Sequence, residues 1–234
     1  MFNRYQRQCK LALQVGLGII TAATPLVIAT PTLAESTFYD VQDHWAKSCI
    51  TQLAYEGIIS GYPDGSFRPS YYMNRAEFAA IIDKAFPNLV QNRKSVEFGD
   101  VPVYYWAYTV IKQAYQTKFL SGYPGKVFKP SRYIPRSQVL VSLASGLNYS
   151  PTKSATAILN AEFADANTIP NYAKKGIAAA TEKGFVVNYP NVKFLNPNKK
   201  ATRAEVAAFL CQARVTSSEA SVIPAQYIAG SNSY

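Results

Sequence analysis

A guanidinium group binds a carboxylate through two charge-assisted hydrogen bonds, and three arginines of this sequence occupy equivalent positions suited to that chemistry. They are Arg75, Arg136 and Arg203, and each lies in the first turn of a predicted helix. A cation there faces the positive end of the helix dipole, which costs up to about 1 kcal/mol. Because this unfavourable position recurs, we expect either a carboxylate elsewhere in the fold or an anionic ligand to hold each arginine.

The helices that carry these arginines are predicted from apolar residues at positions i, i+3, i+4 and i+7, within 78–85, 139–146 and 206–213. Two of the helices also begin with the spacing of a capping box, in which two side chains satisfy amides of the first turn. The pairs are Asn74 with Glu77 and Thr202 with Glu205. Free amides at a helix N-terminus suit an anion, so we expect a ligand carboxylate to bind there, beside the arginine.

The same order of motifs occurs three times along the chain, so the sequence is an internal repeat. Each unit has an aromatic-x-Asp segment, an apolar helix pattern, a Tyr-Pro turn, a later proline and the arginine helix. The Tyr-Pro turns begin at Tyr62, Tyr123 and Tyr189. Two short amphipathic helices cannot bury their apolar faces alone, so the three helix-loop-helix units must pack on one another.

The repeats divide the chain into segments with different predicted roles. Repeat 1 covers 36–95, repeat 2 covers 96–150 and repeat 3 covers 160–214. The polar segments 88–97 and 147–161 are predicted to be surface connectors. The last segment, 215–234, is rich in Ser and Ala without periodicity and is predicted to be disordered.

Residues 1–34 have the composition of a signal peptide: a basic beginning, an apolar run, and small residues at Thr32 and Ala34 before a cleavage point. We expect cleavage before Glu35. An uncleaved membrane anchor is the alternative, since the run approaches the length that spans a bilayer, but glycines and a proline interrupt it. The mature chain is therefore expected in the cell envelope, as a cell-wall, periplasmic or outer-membrane-associated protein without a stable membrane span.

Two cysteines, Cys49 and Cys211, remain in the exported part of the chain. An oxidising compartment permits a disulfide between them. Both lie inside predicted helices, where a small buried thiol is the commoner state, so the sequence favours two free thiols.

The formal net charge of +10 at pH 7 implies an acidic partner, which could be nucleic acid, anionic lipid or acidic glycan. Nucleic acid is the weakest of the three, because the sequence has no long Lys/Arg run and no base-reading motif.

The first repeat closely resembles the S-layer homology (SLH) domain. It contains, in order, Phe-x-Asp-Val, His-Trp-Ala, Gly-Ile-Ile-x-Gly-Tyr-x-Asp-Gly-x-Phe-x-Pro and Asn-Arg-Ala-Glu. Repeat 2 departs from the pattern at Lys118, at Pro135 and at Gln138, and repeat 3 departs at Asn171-Tyr172 and at Asn188. The combined pattern is far more specific than a single short motif.

The resemblance implies an all-α fold, in which three helix-loop-helix repeats pack as a pseudo-threefold bundle with grooves between them. It also implies non-covalent attachment to the envelope, through grooves that bind acidic cell-wall or peptidoglycan-linked polysaccharide, often carrying pyruvate ketals. The implied polysaccharide-binding positions are Arg75, Arg136, Arg203, Trp45, Trp106, Gly61, Asp64 and Gly65. The ligand role is expected to be strongest at Arg75 and weakest at Arg136, whose cap is Pro135.

Each implied role has a structural alternative. The arginines could instead pair with the repeated aspartates Asp40, Asp100 and Asp165. Large aromatics such as the two tryptophans lie more often in a core than on a sugar-binding surface. For the whole protein, the alternative is an envelope scaffold that uses its repeats for protein–protein contact or self-association.

No combination of residues in the sequence indicates catalysis, a metal or a cofactor. His44 is the only histidine, occurs in one repeat of three, and has no nucleophile-elbow motif to support it. Cys/His pairs at metal-ligand spacing are missing. Carboxylates such as Asp40 and Glu77 recur with structural roles, so a glycosidase pair is not expected. The sequence predicts a binding module and not an enzyme.

Overall fold

The structure is a computed structural model that describes residues 38–214 and 223–230. Within these ranges the chain forms α-helices, short 3-10 turns and isolated β-bridges, with no strand, which confirms the predicted all-α class. The helices are α1 (Lys47–Tyr55), α2 (Arg75–Ala85), α3 (Tyr108–Gln116), α4 (Arg136–Gly146), α5 (Ala155–Glu162), α6 (Lys174–Glu182) and α7 (Arg203–Arg214). None of the described helices is long and apolar enough to cross a bilayer. The predicted signal peptide, 1–34, lies outside the described residues.

The three repeats pack in a ring. The second helix of each repeat lies against the first helix of the next: α2 contacts α3, α4 contacts α6, and α7 contacts α1. Around the pseudo-threefold axis, three backbone hydrogen bonds close a smaller ring, from Met73 N to Ala201 O, from Ala201 N to Ile134 O and from Ile134 N to Met73 O. These three residues are almost fully buried, so the axis is part of the hydrophobic core.

One aspartate in each repeat fixes the loop between its two helices. The Asp40 carboxylate accepts hydrogen bonds from the backbone amides of Phe67 and Arg68 at 2.8 and 2.7 Å. Arg68 has a positive φ of 57°, a conformation that side-chain-bearing residues seldom adopt. The carboxylate stabilises this strained turn, and Asp100 and Asp165 do the same for the loops of repeats 2 and 3.

A disulfide joins Cys49 in α1 to Cys211 in α7, with their Cα atoms 5.8 Å apart. The expectation of two free thiols is therefore wrong. The ring explains why: it brings the first helix of repeat 1 against the last helix of repeat 3, a proximity between residues 162 positions apart that helix patterns cannot show. The bond covalently links repeats 1 and 3.

Two segments outside the predicted helices are ordered, one predicted as a surface connector and one predicted to be disordered. The connector 147–161 contains most of α5, which is capped by the Ser154 hydroxyl, buries Leu159 and packs on α6. Residues 223–230 of the predicted disordered tail form an antiparallel bridge between Ile228 and Val187, with Ile223 and Ile228 buried. Both segments follow or precede repeat 3 and cover its outer face with a few apolar residues. Residues 215–222 and 231–234 of the tail lie outside the described part of the chain.

Candidate functional site

Each arginine of the repeat extends its guanidinium into the loop of the next repeat. Arg75 donates from Nε to the Phe128 carbonyl at 2.8 Å and from Nη2 to the Ser121 carbonyl at 2.7 Å. Arg136 and Arg203 make the equivalent bonds to the loops of repeats 3 and 1. The arginines therefore hold adjacent repeats together, and each lies at the base of a groove between them.

The three grooves contain residues of all three repeats. Groove 1 consists of Arg75, Ser121, Tyr123, Gln138 and Tyr172. Groove 2 consists of Arg136, Asn188, Tyr189, Glu205 and Trp45. Groove 3 consists of Ser60, Phe67, Glu77, Trp106 and Arg203. In each groove, one repeat supplies the arginine. The next repeat supplies the loop and the third residue of its own arginine helix. The remaining repeat supplies an aromatic side chain.

The backbone amides at the start of the arginine helices are not available to a ligand. In α2, the amide of Arg75 donates to the Arg132 carbonyl, and the amide of Ala76 donates to the Pro130 carbonyl, both at 3.0 Å. The third amide, of Glu77, donates to the Asn74 side chain. The expected anion site at free helix amides is therefore wrong, because the neighbouring repeat supplies the acceptors.

The capping pairs form the reciprocal hydrogen bonds of a capping box. Asn74 N donates to Glu77 Oε2 at 2.8 Å, while Asn74 Oδ1 accepts from Glu77 N at 2.9 Å. Thr202 and Glu205 repeat this arrangement at 2.8 and 3.2 Å. Pro135 supplies no side-chain cap to α4. The N-cap thus differs in repeat 2, as the sequence indicated.

The alternative pairing of arginines with aspartates is wrong. Each of the three aspartates accepts two backbone hydrogen bonds from the loop of its own repeat, as described above. The arginine charges are instead met by carbonyl oxygens, by aromatic faces and by the third residue of the next arginine helix. That third residue is Gln138 for Arg75, Glu205 for Arg136 and Glu77 for Arg203.

Groove 1 keeps a buried guanidinium without a carboxylate partner. Arg75 is 3% exposed, and its Nη1 donates to the neutral Gln138 side chain at 3.1 Å. Among the described residues no carboxylate lies within ion-pair distance of it. Burial lowers the pKa of Arg75, while the nearby Tyr123 acts in the opposite direction. Among the described residues, the charge of Arg75 is therefore met only by neutral acceptors and aromatic faces.

The remainder of groove 1 is a cavity of about 320 Å³ lined by both polar and apolar side chains. The Ser142 hydroxyl lines it and has no hydrogen-bond partner among the described residues, although Ser142 is 3% exposed. Ser145, Gln138 and the exposed Lys118 also line the cavity. A buried hydroxyl without a partner costs about 1 to 3 kcal/mol, so a polar ligand that bonded to Ser142 would relieve that cost.

Groove 2 is filled by its own side chains. Arg136, also 3% exposed, forms an ion pair with Glu205 at 2.8 Å and donates to the Leu195 carbonyl at 2.7 Å. Burial lowers the pKa of Arg136, and the Glu205 carboxylate opposes this shift. Trp45 stacks on Tyr189 with ring centroids 5.2 Å apart and planes within 8°. Here the guanidinium charge is neutralised within the protein.

Groove 3 is the most open around its aromatic side chain. Trp106 is 64% exposed, so the expectation that tryptophans belong to the core is wrong for this residue. Arg203 is partly buried and donates to the carbonyls of Phe67 and Ser60 at 2.8 and 2.7 Å. The cavity beside it is about 180 Å³. Glu77 lines this cavity and lies close enough to Arg203 to raise its pKa, against the lowering effect of burial.

The loop residues of repeat 1 have structural roles that the sequence did not separate from binding. A Cβ on Gly61 would lie 2.3 Å from the Phe38 ring, so only glycine fits there. Gly65 has a φ of 79°, which favours glycine. Asp64 accepts hydrogen bonds from Ser66 and then from Arg68, and these hold the pKa of its exposed carboxyl below the ordinary value. Contact of these residues with a glycan stays a prediction.

Sequence reasoning missed several groove residues. Ser142 was not singled out as a site residue, and Tyr172 and Gln138 were noted only as departures from the repeat pattern. One signal was present: the residue two positions after each arginine is Glu, Gln and Glu in turn. That contrast is the one that separates groove 1 from the other two. The identity of this residue matters because the guanidinium of the preceding repeat lies beside it, and the sequence does not show that proximity.

These observations define a class of protein: three helical repeats closed into a ring, with arginine-based grooves between them. The family model of the S-layer homology domain matches residues 37–79, 97–140 and 162–207, more than half of the chain. The chain therefore belongs to the S-layer homology family, and the resemblance found in the sequence is confirmed.

Similar proteins include an enzyme, an anchoring protein and a surface-layer protein. An amylopullulanase of Thermoanaerobacterium thermosulfurigenes is 32% identical over 75% of this chain and 9% of its own length. A cellulosome-anchoring protein of Acetivibrio thermocellus is 43% identical over 32% of this chain and 17% of its own length. A surface-layer 125 kDa protein of Lysinibacillus sphaericus is 26% identical over 77% and 15%, respectively. The chain thus spans less than a fifth of these relatives, and the shared repeats support attachment at the cell surface.

Proposed function

We propose that this protein attaches to the cell envelope by binding an acidic wall polysaccharide, or a polymer linked to peptidoglycan, with groove 1 as its principal site. The observation that carries the proposal is the buried Arg75 guanidinium, which lines a cavity with several polar side chains and has no carboxylate partner among the described residues. A buried charge of this kind is stabilised most by a bound anion. The proposal includes no catalytic residue, metal or cofactor.

The chemistry of groove 1 suits a sugar that carries a carboxylate, such as a pyruvate ketal. The carboxylate would lie near Arg75 and the exposed Lys118. Ser142, Ser145 and Gln138 offer hydrogen bonds to hydroxyl groups, and Tyr123 and Tyr172 offer flat apolar surfaces to the sugar ring. Groove 3, with Trp106 exposed beside Arg203, is the second site of this proposal. Groove 2 is occupied by its own ion pair and aromatic stack.

The names of two relatives support the envelope-attachment part of the proposal. One is named as a cellulosome-anchoring protein and another as a surface-layer protein, and each is similar to part of this chain. We transfer from them the role of envelope attachment. The location in the envelope and the acidic polysaccharide partner are part of the same proposal.

The test is retention on purified sacculi with and without their attached polysaccharide. We expect wild-type protein to bind only the sacculi that keep the polysaccharide, and Arg75→Ala to bind about thirtyfold more weakly, a loss of about 2 kcal/mol. Arg75→Lys keeps the charge but loses the two-pronged geometry, so its loss should be intermediate.

The matched control is Arg214→Ala. Arg214 forms an ion pair with Glu56, so it also joins two repeats, but it lies outside groove 1. The control should lose some stability and keep polymer binding. Wild-type retention by a folded Arg75→Ala protein would refute the role of groove 1. Equal binding to stripped sacculi, or self-association without polymer binding, would favour the alternative of a protein scaffold.

A further inference from the structure

Three equivalent residues, one from each repeat, form an exposed cluster at one end of the pseudo-threefold axis. They are Tyr72, Tyr133 and Lys200, and we call this cluster the apex. Each precedes a buried residue of the axial hydrogen-bond ring, so the alternation of side chains places the apex residues outward. Tyr72 and Tyr133 are 44% and 46% exposed, and their rings meet edge to face at 5.7 Å.

The apex carries positive charge without a neutralising carboxylate of its own. The Lys200 ammonium lies 4.6 Å from the ring centroid of Tyr133 and 5.4 Å from that of Tyr72. The exposed Arg132 and Lys199 lie one position earlier in their repeats. Segments 69–73, 130–134 and 197–201 contain no Asp or Glu. The carboxylate of Glu205, 3.8 Å from Lys199, is already paired with Arg136.

The apex continues into groove 1 through the ring of Tyr123. Three cations from both sides surround this ring: Arg75 from the groove at 4.8 Å, Lys129 at 5.1 Å and Arg132 from beside the apex at 5.3 Å. The backbone amide of Arg75 also bonds to the Arg132 carbonyl. Aromatic and cationic groups thus follow one another from Arg75 to Lys200.

We propose that the apex is a second binding surface for anionic polysaccharide, continuous with groove 1. A polymer whose acidic group is held by Arg75 would pass over Tyr123 and lie on the tyrosines of the apex. The tyrosine faces receive the apolar faces of sugar rings, and Arg132 and Lys200 pair with acidic groups on later sugars. The inference rests on the proposed function and adds that the ligand is a polymer with repeated negative charges.

Polysaccharide is favoured over an anionic lipid surface because of this continuity. A membrane would meet only the outermost cations of the apex, whereas a flexible polymer follows the whole path from the groove. The length of the ligand therefore distinguishes the apex from groove 1. A single repeating unit occupies only the groove, and the intact polymer also contacts the apex.

The experiment compares two ligands with the same variants. The ligands are polysaccharide released from the sacculi of the native host and its single repeating unit after hydrolysis. We expect Lys200→Glu and Tyr133→Ala to bind the intact polymer about threefold to tenfold more weakly, with the larger loss at low salt. Both variants should bind the single repeating unit as tightly as wild type does. Lys94→Glu and Tyr55→Ala are matched controls, because these exposed residues lie outside the apex and the grooves.

Each outcome decides the proposal. Undiminished polymer binding by a folded Lys200→Glu protein overturns it, and so does an equal loss for the single unit. If the variants lose binding to phosphatidylglycerol vesicles but bind the polymer as wild type does, the apex is a lipid-binding surface and the polysaccharide proposal is overturned. If the wild-type protein binds neither ligand, the proposed function itself is refuted. This outcome is distinct from failure of the apex proposal, because it is seen without any variant. Thermal melts confirm that every variant is folded.

Discussion

Grooves 1 and 2 are built from the same positions of the repeat and differ in how they treat the arginine at their base. Arg75 and Arg136 are equally buried, and both donate to two loop carbonyls of the following repeat. In groove 1 the third residue of the next helix is Gln138, which leaves the guanidinium charge without a partner carboxylate. In groove 2 it is Glu205, which neutralises the charge. One residue therefore separates a guanidinium without a carboxylate partner among the described residues from one that is ion-paired within the protein.

The aromatic side chains of the two grooves differ in the same direction. In groove 2, Trp45 is partly buried against Tyr189. Tyr227 from the C-terminal segment packs against the same Tyr189 ring, with ring centroids 5.0 Å apart. In groove 1 the equivalent Tyr172 is 60% exposed. The two interfaces therefore share one backbone arrangement and differ in the exposure of their aromatic side chains.

Loss of the disulfide is expected to have the largest effect and to affect both grooves alike. Replacing Cys49 and Cys211 with Ala opens a covalent loop that spans 162 positions. Such a loop restricts the unfolded chain, so its loss should reduce the free energy of unfolding by about 4 to 5 kcal/mol. Urea unfolding would measure this. The stability losses caused by Arg75→Ala and by Arg136→Ala should keep the same ratio with and without the disulfide. A changed ratio would contradict the view of the grooves as parts of one ring.

Removal of Arg136 should be the next most damaging change. Arg136→Ala leaves the nearly buried Glu205 carboxylate with only the more distant Lys199 ammonium, 3.8 Å away, so we expect a loss of about 3 kcal/mol of stability. Replacing both partners, Arg136→Met with Glu205→Gln, should recover a large part, because Gln keeps the cap and no charge is left alone. If Arg136→Ala lost polymer binding without losing stability, groove 2 would be a ligand site and the comparison would fail.

Gln138→Glu should convert groove 1 toward groove 2. The new carboxylate lies beside the Arg75 guanidinium and competes with the acidic polymer, so binding should weaken about tenfold while stability is unchanged or higher. Sedimentation with sacculi would measure the binding. The control, Gln91→Glu, adds the same charge at an exposed connector residue and should leave binding nearly unaffected. Unchanged binding by Gln138→Glu would contradict the role assigned to the free charge of Arg75.

A smaller, pH-dependent effect is expected in groove 2 only. His44 packs against Trp45, and its Nδ1 accepts a hydrogen bond from the amide of Ala46 at 3.2 Å. Burial lowers the pKa of His44 in the folded state, and Asp40 opposes the shift. The unfolded chain therefore binds a proton first as the pH falls below about 6.5, and stability decreases from there through the lowered pKa.

We expect this loss to be less than about 1 kcal/mol, because the side chain is only half-buried. Melts of the wild type and of His44→Gln between neutral and mildly acidic pH would measure it, and the variant should lack the His44 contribution. The same pH dependence in both proteins would show that another group is responsible.

The sequence by itself determined the repeat, the helices and the residues that begin them. Helix periodicity and capping are local: the bonds between Asn74 and Glu77 join residues three positions apart. The family pattern was equally visible, because it consists of short motifs at fixed spacing. The order of α5 and of 223–230 was not predicted because neither segment belongs to the repeat pattern, and each is ordered by the surface against which it packs.

Only the tertiary structure decided what each arginine does. The carbonyls that receive Arg75, Arg136 and Arg203 lie 53, 59 and 136 positions away, in the next repeat of the ring. The same closure brought Cys49 to Cys211 and supplied carbonyl oxygens to the helix amides that the sequence left free. Because hydrogen bonds and charge pairing depend on distances of a few ångströms, a pattern along the chain identifies the residues, and the packing of the repeats chooses their partners.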